Sequence, residues 1–287
     1  MTRSMRKLAV LAALGAVLTG CAGGAAPPGS ARASAPAPSP VRSTAPSADA
    51  TPAPATPTIA PGPGGLTAVF ERGAAAGKVV ALSFDADMTA DQGPRAARGE
   101  RFDNPGLIET LRALKVPSTV FMTGRWAEEY PDQARAIGGD PLFEVGNHSY
   151  SHYAFTSPCY GLPTVDEGGM LQDVRRAFAV FEEIGVHRTV PYFRFPGGCY
   201  NDAALRALAP AEVTAVQWDV VGGDAFATDP EAVAAQVLTG VRPGSLVVLH
   251  CTRSAAPATE EAVRRIVPEL RARGYRFVKV SELMRDG

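Results

Sequence analysis

Short apolar runs alternating with helix-periodic stretches constrain this chain more than any other feature. Val79–Phe84, Ser118–Met122, Phe143–Val145, Val190–Phe195, Thr214–Val220, Leu246–Leu249 and Arg276–Val280 are each short and rich in β-branched or aromatic residues. Bounded by Gly, Pro or polar residues, they read as strands. Between them Leu107, Leu111 and Leu114 recur at helical spacing, as do Val174, Ala177, Phe178 and Phe181, and later Val263, Ile266, Val267 and Leu270. The first of these helices, near 106–115, must stop before Pro117. Such alternation predicts a largely parallel sheet with covered faces, either a barrel or an open sheet. No internal repeat is visible.

In a parallel sheet the C-terminal strand ends gather on one face, and active sites are usually built there. Polar residues of this chain fall at those ends. Asp85 and Asp87 follow the first strand, His148 and His152 the third, Gly197 to Asn201 the fourth, Asp224 the fifth and His250 the sixth. On a helical turn, the spacing of His148 and His152 would put both imidazoles on one face, close enough to share a metal. One of the two carboxylates would complete that site, and the other would take a proton from water as general base. Arg194 entering a cleft needs a carboxylate partner, for which Asp85 is the natural candidate. The Gly197-Gly198 turn lets backbone N–H groups approach a substrate as an oxyanion hole requires. His250 would then be the general acid for a leaving amine. Taken singly, each has a plainer reading: turn aspartates, a surface arginine, a structural histidine.

The N-terminal part differs from all that follows. Arg3, Arg6 and Lys7 precede the apolar run Leu8 to Leu18, which is of secretory length and too short to span a bilayer. Leu18-Thr19-Gly20-Cys21 resembles the lipobox of bacterial lipoproteins, which implies a signal peptide over 1–20, a lipidated Cys21 and attachment to the cell membrane outside the cytoplasm. Residues 22–64 hold eleven of the 25 prolines and almost nothing able to form a core. They read as an extended spacer. Residues 65–287 suit one domain with a full core. That domain carries 23 basic against 28 acidic side chains, which argues against a nucleic-acid partner. A monomer is expected. Of the three later cysteines, a Cys159–Cys199 bridge is the expected pairing, because either end would staple a Gly/Pro-rich loop. A Cys199–Cys251 bridge would instead bear directly on the site.

In order along the chain, Val80-Ala-Leu-Ser-Phe-Asp85, Lys115-Val-Pro-Ser-Thr-Val-Phe-Met-Thr-Gly-Arg-Trp126, Glu144-Val-Gly-Asn-His-Ser-Tyr-Ser-His152, Phe193-Arg-Phe-Pro-Gly-Gly198 and Ser245-Leu-Val-Val-Leu-His250 resemble the polysaccharide deacetylase family, also called the NodB homology domain or carbohydrate esterase family 4. The resemblance covers residues 76 to 285. It implies an α/β fold, a distorted, incomplete (β/α) barrel, holding one divalent metal, commonly zinc, with cobalt or others as substitutes. It further implies Asp85 as base, His148 and His152 as ligands, Arg194 orienting Asp85, and His250 as acid. The backbone N–H of Gly197 would contribute to the oxyanion hole, with Pro196 before it placed at the substrate.

This chain also departs from the family pattern. Ala86 separates aspartates that are commonly adjacent, so Asp87 is assigned to the metal. Asp224 is followed by Ala225 where a tryptophan is usual. Asp224 is expected to raise the pKa of His250, with Asp219 as a rival. The implied activity is removal of acetyl groups, N-acetyl foremost, from an extracellular polysaccharide such as peptidoglycan or a chitin-like chain. Competing readings are an O-acetyl xylan or chitin esterase, a silent glycan-binding module, and hydrolysis of a small amide or cyclic imide. Trp126, Tyr150, Tyr153, Tyr160, Tyr200 and Phe226 are the candidate sugar platforms, with Tyr200 placed at the substrate.

Overall fold

The structure, a computed structural model, describes residues 55–74 and 77–285. The expected export segment, Cys21 and most of the spacer lie outside these residues. Among the described residues, nine parallel strands run in chain order: β1 (Val69–Phe70), β2 (Val79–Ala86), β3 (Ser118–Met122), β4 (Phe143–Asn147), β5 (Thr189–Phe193), β6 (Thr214–Val216), β7 (Val220–Val221), β8 (Ser245–His250) and β9 (Arg276–Val278). Between and after them lie α1 (Gly93–Ala97), α2 (Pro105–Ala113), α3 (Gly124–Glu129), α4 (Pro131–Gly139), α5 (Met170–Ile184), α6 (Asp202–Leu208), α7 (Pro230–Gly240), α8 (Thr259–Ala272) and α9 (Val280–Arg285). The short helices invisible to periodicity start at local signals. Thr123 Oγ1 accepts from Trp126 N at 3.1 Å to open α3, and Pro131 and Pro230 begin α4 and α7.

The sheet order is β1-β6-β5-β4-β3-β2-β8-β7. β2 is its hub. One edge of β2 pairs with β8 from Val80 to Asp85; the other meets β9 at Val79–Ala81 and β3 at Leu82–Ala86. Side chains alternate between its faces. Val80, Leu82, Phe84 and Ala86 pack outward against the helices with Leu107, Leu111, Ile266 and Val267. Val79 and Ala81 face inward with Phe121, Tyr192, Val216, Leu246 and Val278.

The run Thr214–Val220, expected as a single strand, is split. β6 pairs with β5 and β1, whereas β7 pairs with β8 at the far end of the order. Only Gln217, Trp218 and Asp219 join them. Four residue steps span at most roughly 14 Å, while six strand spacings in a flat sheet would take about 29 Å. The sheet is therefore curled into an incomplete barrel, and residues 217–219 bridge its seam. Asp219 fastens this bridge to β8, accepting from Leu246 N at 2.7 Å. The run Arg276–Val280 is also shorter than expected, because Val280 begins α9.

Candidate active site

Up the inner face of β2, apolar Val79 and Ala81 give way to Ser83, then Asp85, then Asp87. The two-residue pleat explains the intervening Ala86: it points outward, so both carboxylates point inward. Asp85 lies in register with His250 on the neighbouring β8.

Arg194, fully buried just past β5, organises the polar layer. Its Nη1 donates to Asp85 Oδ1 at 2.7 Å, its Nη2 to Ser83 Oγ at 2.9 Å, and its Nε to Val216 O at 3.1 Å. The guanidinium lies 4.0 Å from the Phe121 ring centroid and 5.5 Å from that of Trp218. Phe121 reaches this position because its partner across β4 is Gly146, where a Cβ would stand 2.5 Å from the ring. Burial opposes ionisation of Asp85. Arg194, with His148 and His250 adding to its effect, outweighs it and holds the carboxyl below its ordinary range.

His148 and His152 face one another with ring centroids 4.9 Å apart. They do not lie on a helix: His152 has φ +56°, and a tight turn brings them together. His148 Nδ1 donates to Arg194 O at 2.9 Å, which leaves Nε2 turned to Asp85 Oδ2 at 3.7 Å. His152 Nε2 faces Asp87 Oδ2 at 3.9 Å. Burial pushes His152 down to about 4, so its ring is neutral at pH 7. Asp87 also accepts from Thr252 Oγ1.

Among the described residues, no three His, Cys, Asp or Glu donors converge on one point closely enough to grip an ion as they stand. The chemistry of the donors nevertheless fits a divalent cation. His148 gives its far ring N–H to a carbonyl, the arrangement that orients a metal-binding imidazole. Two ligands of one tetrahedral zinc lie about 3.3 Å apart, and the assigned ligands His152 and Asp87 stand 3.9 Å apart, Nε2 to Oδ2.

His250 closes β8 with about a quarter of its side chain exposed. Its Nδ1 donates to Asp224 Oδ1 at 2.9 Å, and its backbone N to Asp224 Oδ2 at 2.7 Å. Thr259 Oγ1 adds a further donor to Asp224 at 2.6 Å. Burial would lower the imidazole pKa, but Asp224, with Asp87 and Asp85 beyond it, raises it to about 10. The rival Asp219 sits instead on the seam, bonded to Ser245 and Leu246.

Pro196-Gly197-Gly198 forms a short turn after Arg194, with Gly197 at φ +64°. Gly198 N donates to Phe195 O at 2.8 Å, and Gln217 Nε2 donates to Gly198 O at 2.9 Å. Cys159 and Cys199 are disulfide-bonded, while Cys251 is free and buried. Tyr200 is half-buried, stacked on Phe195 at 5.1 Å.

Two of the aromatic platforms are corrected. Trp126 is wholly buried, its Nε1 donating to Phe102 O at 2.6 Å, and Tyr150 is buried with its hydroxyl on Glu128. Tyr153 is half-buried, whereas Tyr160 and Phe226 are exposed. His187 stands apart, exposed before the start of β5. Ser83, Gln217, Trp218, Thr252 and Thr259 went unread. Only Ser83 carried a signal, the two-residue period it shares with Asp85 and Asp87.

The sequence profile of the polysaccharide deacetylase family matches residues 72–216, just over half of the chain. The chain belongs to the polysaccharide deacetylase family. Asp224 and His250 lie beyond the matched stretch, although similarity to relatives covers more of the chain. A Bacillus cereus peptidoglycan-N-acetylglucosamine deacetylase is 29% identical over 210 residues, which are 72% of this chain and 89% of the relative. The curled parallel sheet with flanking helices is the deacetylase fold. A solved peptidoglycan N-acetylglucosamine deacetylase in complex with 4-naphthalen-1-yl-N-oxidanyl-benzamide superposes with TM-score 0.65 at 22% identity, covering 77% of this chain and 94% of that one. A pseudoenzyme of carbohydrate esterase family 4 from Bacillus anthracis reaches TM-score 0.62 at 24% identity, covering 77% and 70%.

Proposed function

We propose that this protein hydrolyses acetyl groups, N-acetyl foremost, from an extracytoplasmic glycan, and that the glycan is peptidoglycan. The observation that carries the chemistry is the register pairing of Asp85, held by Arg194, with His250, held by Asp224. One group is a buried carboxylate and the other a protonated imidazole, the complementary states that base and acid require.

In this reading Asp85 Oδ2 accepts a proton from the attacking water. The Gly197 N–H donates to the oxygen that gains charge as the carbonyl carbon becomes tetrahedral. His250 then protonates the departing amine. Asp87, His148 and His152 would hold a divalent metal, zinc by the softness of two imidazoles. Bound there, it supplies a Lewis acid that polarises the acetyl oxygen and acidifies water. The similarity to a peptidoglycan deacetylase over 89% of that relative supports the substrate.

Acetate release from purified peptidoglycan, set beside release from acetylated xylan, tests this function. Release from peptidoglycan, abolished in His148→Ala, is expected. Release from xylan alone would replace the substrate.

The similarity to a family pseudoenzyme keeps a second reading in view, a glycan-binding module without turnover. Binding of peptidoglycan without acetate release would establish it. The export-like start and Cys21 support a lipid-anchored location outside the cytoplasm. Cys21→Ser is then expected to move the protein from the membrane fraction to the soluble one; unchanged fractionation would remove the anchor.

A further inference from the structure

Between His152 and the catalytic turn runs a loop that the chemistry above leaves unused. Ala154 and Thr164 pair across its base, and it turns at Tyr160-Gly161, both at positive φ. Just before that turn, Cys159 is tied to Cys199, the residue that follows Gly198. Its sulfur lies 3.7 Å from Pro196 O. A Cβ built at Gly197 would meet Cys159 Sγ at 2.7 Å and the side chains of Leu162 and Tyr160 at 3.3 Å each. The loop therefore rests on the residue whose N–H is offered to the reacting carbonyl.

Tyr160 is 90% exposed, the most exposed large hydrophobic side chain among the described residues. Its backbone sits at φ +46°, a region that non-glycine residues enter at a cost. Burial returns none of that cost, since the ring stays in water. The disulfide fixes the adjoining residue, so the backbone of Tyr160 is held beside the turn. A flat aromatic face suits the C–H face of a pyranose, with the hydroxyl left at its wet edge.

We propose that Tyr160 is a sugar-stacking platform, binding a pyranose ring of the substrate on the side of the site formed by the Pro196–Gly198 turn. This rests on the deacetylase reading for its substrate class. The platform contributes binding to the glycan, and none to the acetyl group itself.

The test compares the full protein with Tyr160→Ala and Tyr160→Phe on two substrates, the N-acetylglucosamine pentamer and 4-nitrophenyl acetate, which has no sugar. One aromatic contact of about 0.5–1.5 kcal/mol corresponds to a two- to tenfold rise in KM. That rise is expected for Tyr160→Ala on the pentamer, with kcat little changed, with 4-nitrophenyl acetate unaffected, and with Tyr160→Phe retaining wild-type KM. An unchanged KM for the pentamer overturns the platform, as does an equal loss on both substrates. Calorimetric binding of the pentamer separates this from the deacetylase reading. If the wild type releases no acetate but binds the pentamer more tightly than Tyr160→Ala does, the enzyme reading fails and the platform stands. Equal binding overturns the platform.

Discussion

Both oxygens of Asp224 are spent on the segment that carries His250 and on Thr259. Remove the carboxylate charge and burial is left as the main influence on the imidazole, driving its pKa down. In the wild type the raised pKa means that the proton's contribution to stability is fully present below the unfolded value, about 6.5. That contribution is lost as pH rises through about 10. Asp224→Asn is therefore expected to move the alkaline limb of kcat/KM more than one pH unit toward acid, and to reduce the stability lost between pH 7 and 10. Rate profiles and denaturant unfolding at both pH values check this; an unmoved limb would remove His250 as the acid. The residues at the strand ends were legible because Asp, His and Arg interrupt apolar runs. Thr259 and Gln217 were not, since each acts through a partner far along the chain and a lone Thr or Gln forms no pattern. Trp126 was misread because its neighbour Phe102, which takes its N–H, is brought to it only by folding.

Among the elements, the bridge between β6 and β7 does most to shape the site. Gln217 touches three parts of the fold at once. Its N donates to Phe70 O at 2.8 Å, its carbonyl accepts from Arg194 Nη2 at 3.3 Å, and its side chain holds Gly198 O. Trp218 fills the space above Gly198, where a Cβ would stand 2.5 Å from its ring. The bridge thus positions both the turn and the arginine that holds Asp85. Gln217→Met keeps length and loses the donor to Gly198. It is expected to lower kcat roughly ten- to a hundredfold by displacing the turn, with KM near wild type. A rise in KM at constant kcat would instead place Gln217 in ground-state binding. The strand types and the helices α2, α5 and α8 were legible from period alone. The split of Thr214–Val220 was not, because an apolar run does not record which neighbour each half will pair with.

At the scale of the whole molecule, the curl of the sheet brings ligand candidates from β2 and from the turn after β4 to one mouth. Neither segment can assemble that set by itself, so affinity for metal depends on the folded state. An ion that binds only the folded chain raises its stability with concentration, by about 2.7 kcal/mol at a hundred times Kd. Zinc is expected to raise Tm in a concentration-dependent way, chelator to reverse it, and His148→Ala to remove the response. A Tm indifferent to zinc, cobalt and chelator would count against the metal. The family and its barrel could be read from five motifs in order. The two strands that flank its seam, β6 and β7, could not, because they come from one apolar run whose halves pair at opposite ends of the sheet.

Pairing Asp85 with His250 across β2 and β8 ties chemistry to the hub strand of the sheet. Their spacing is set by the sheet's own hydrogen bonds, about 4.8 Å between strands. Separating them means opening the hub strand. Amide hydrogens around the catalytic pair should exchange with solvent only when the whole domain unfolds, while those of the 153–165 loop exchange through local opening. Such a division lets mutation rework what the protein grips, at the loops, without disturbing how it cuts.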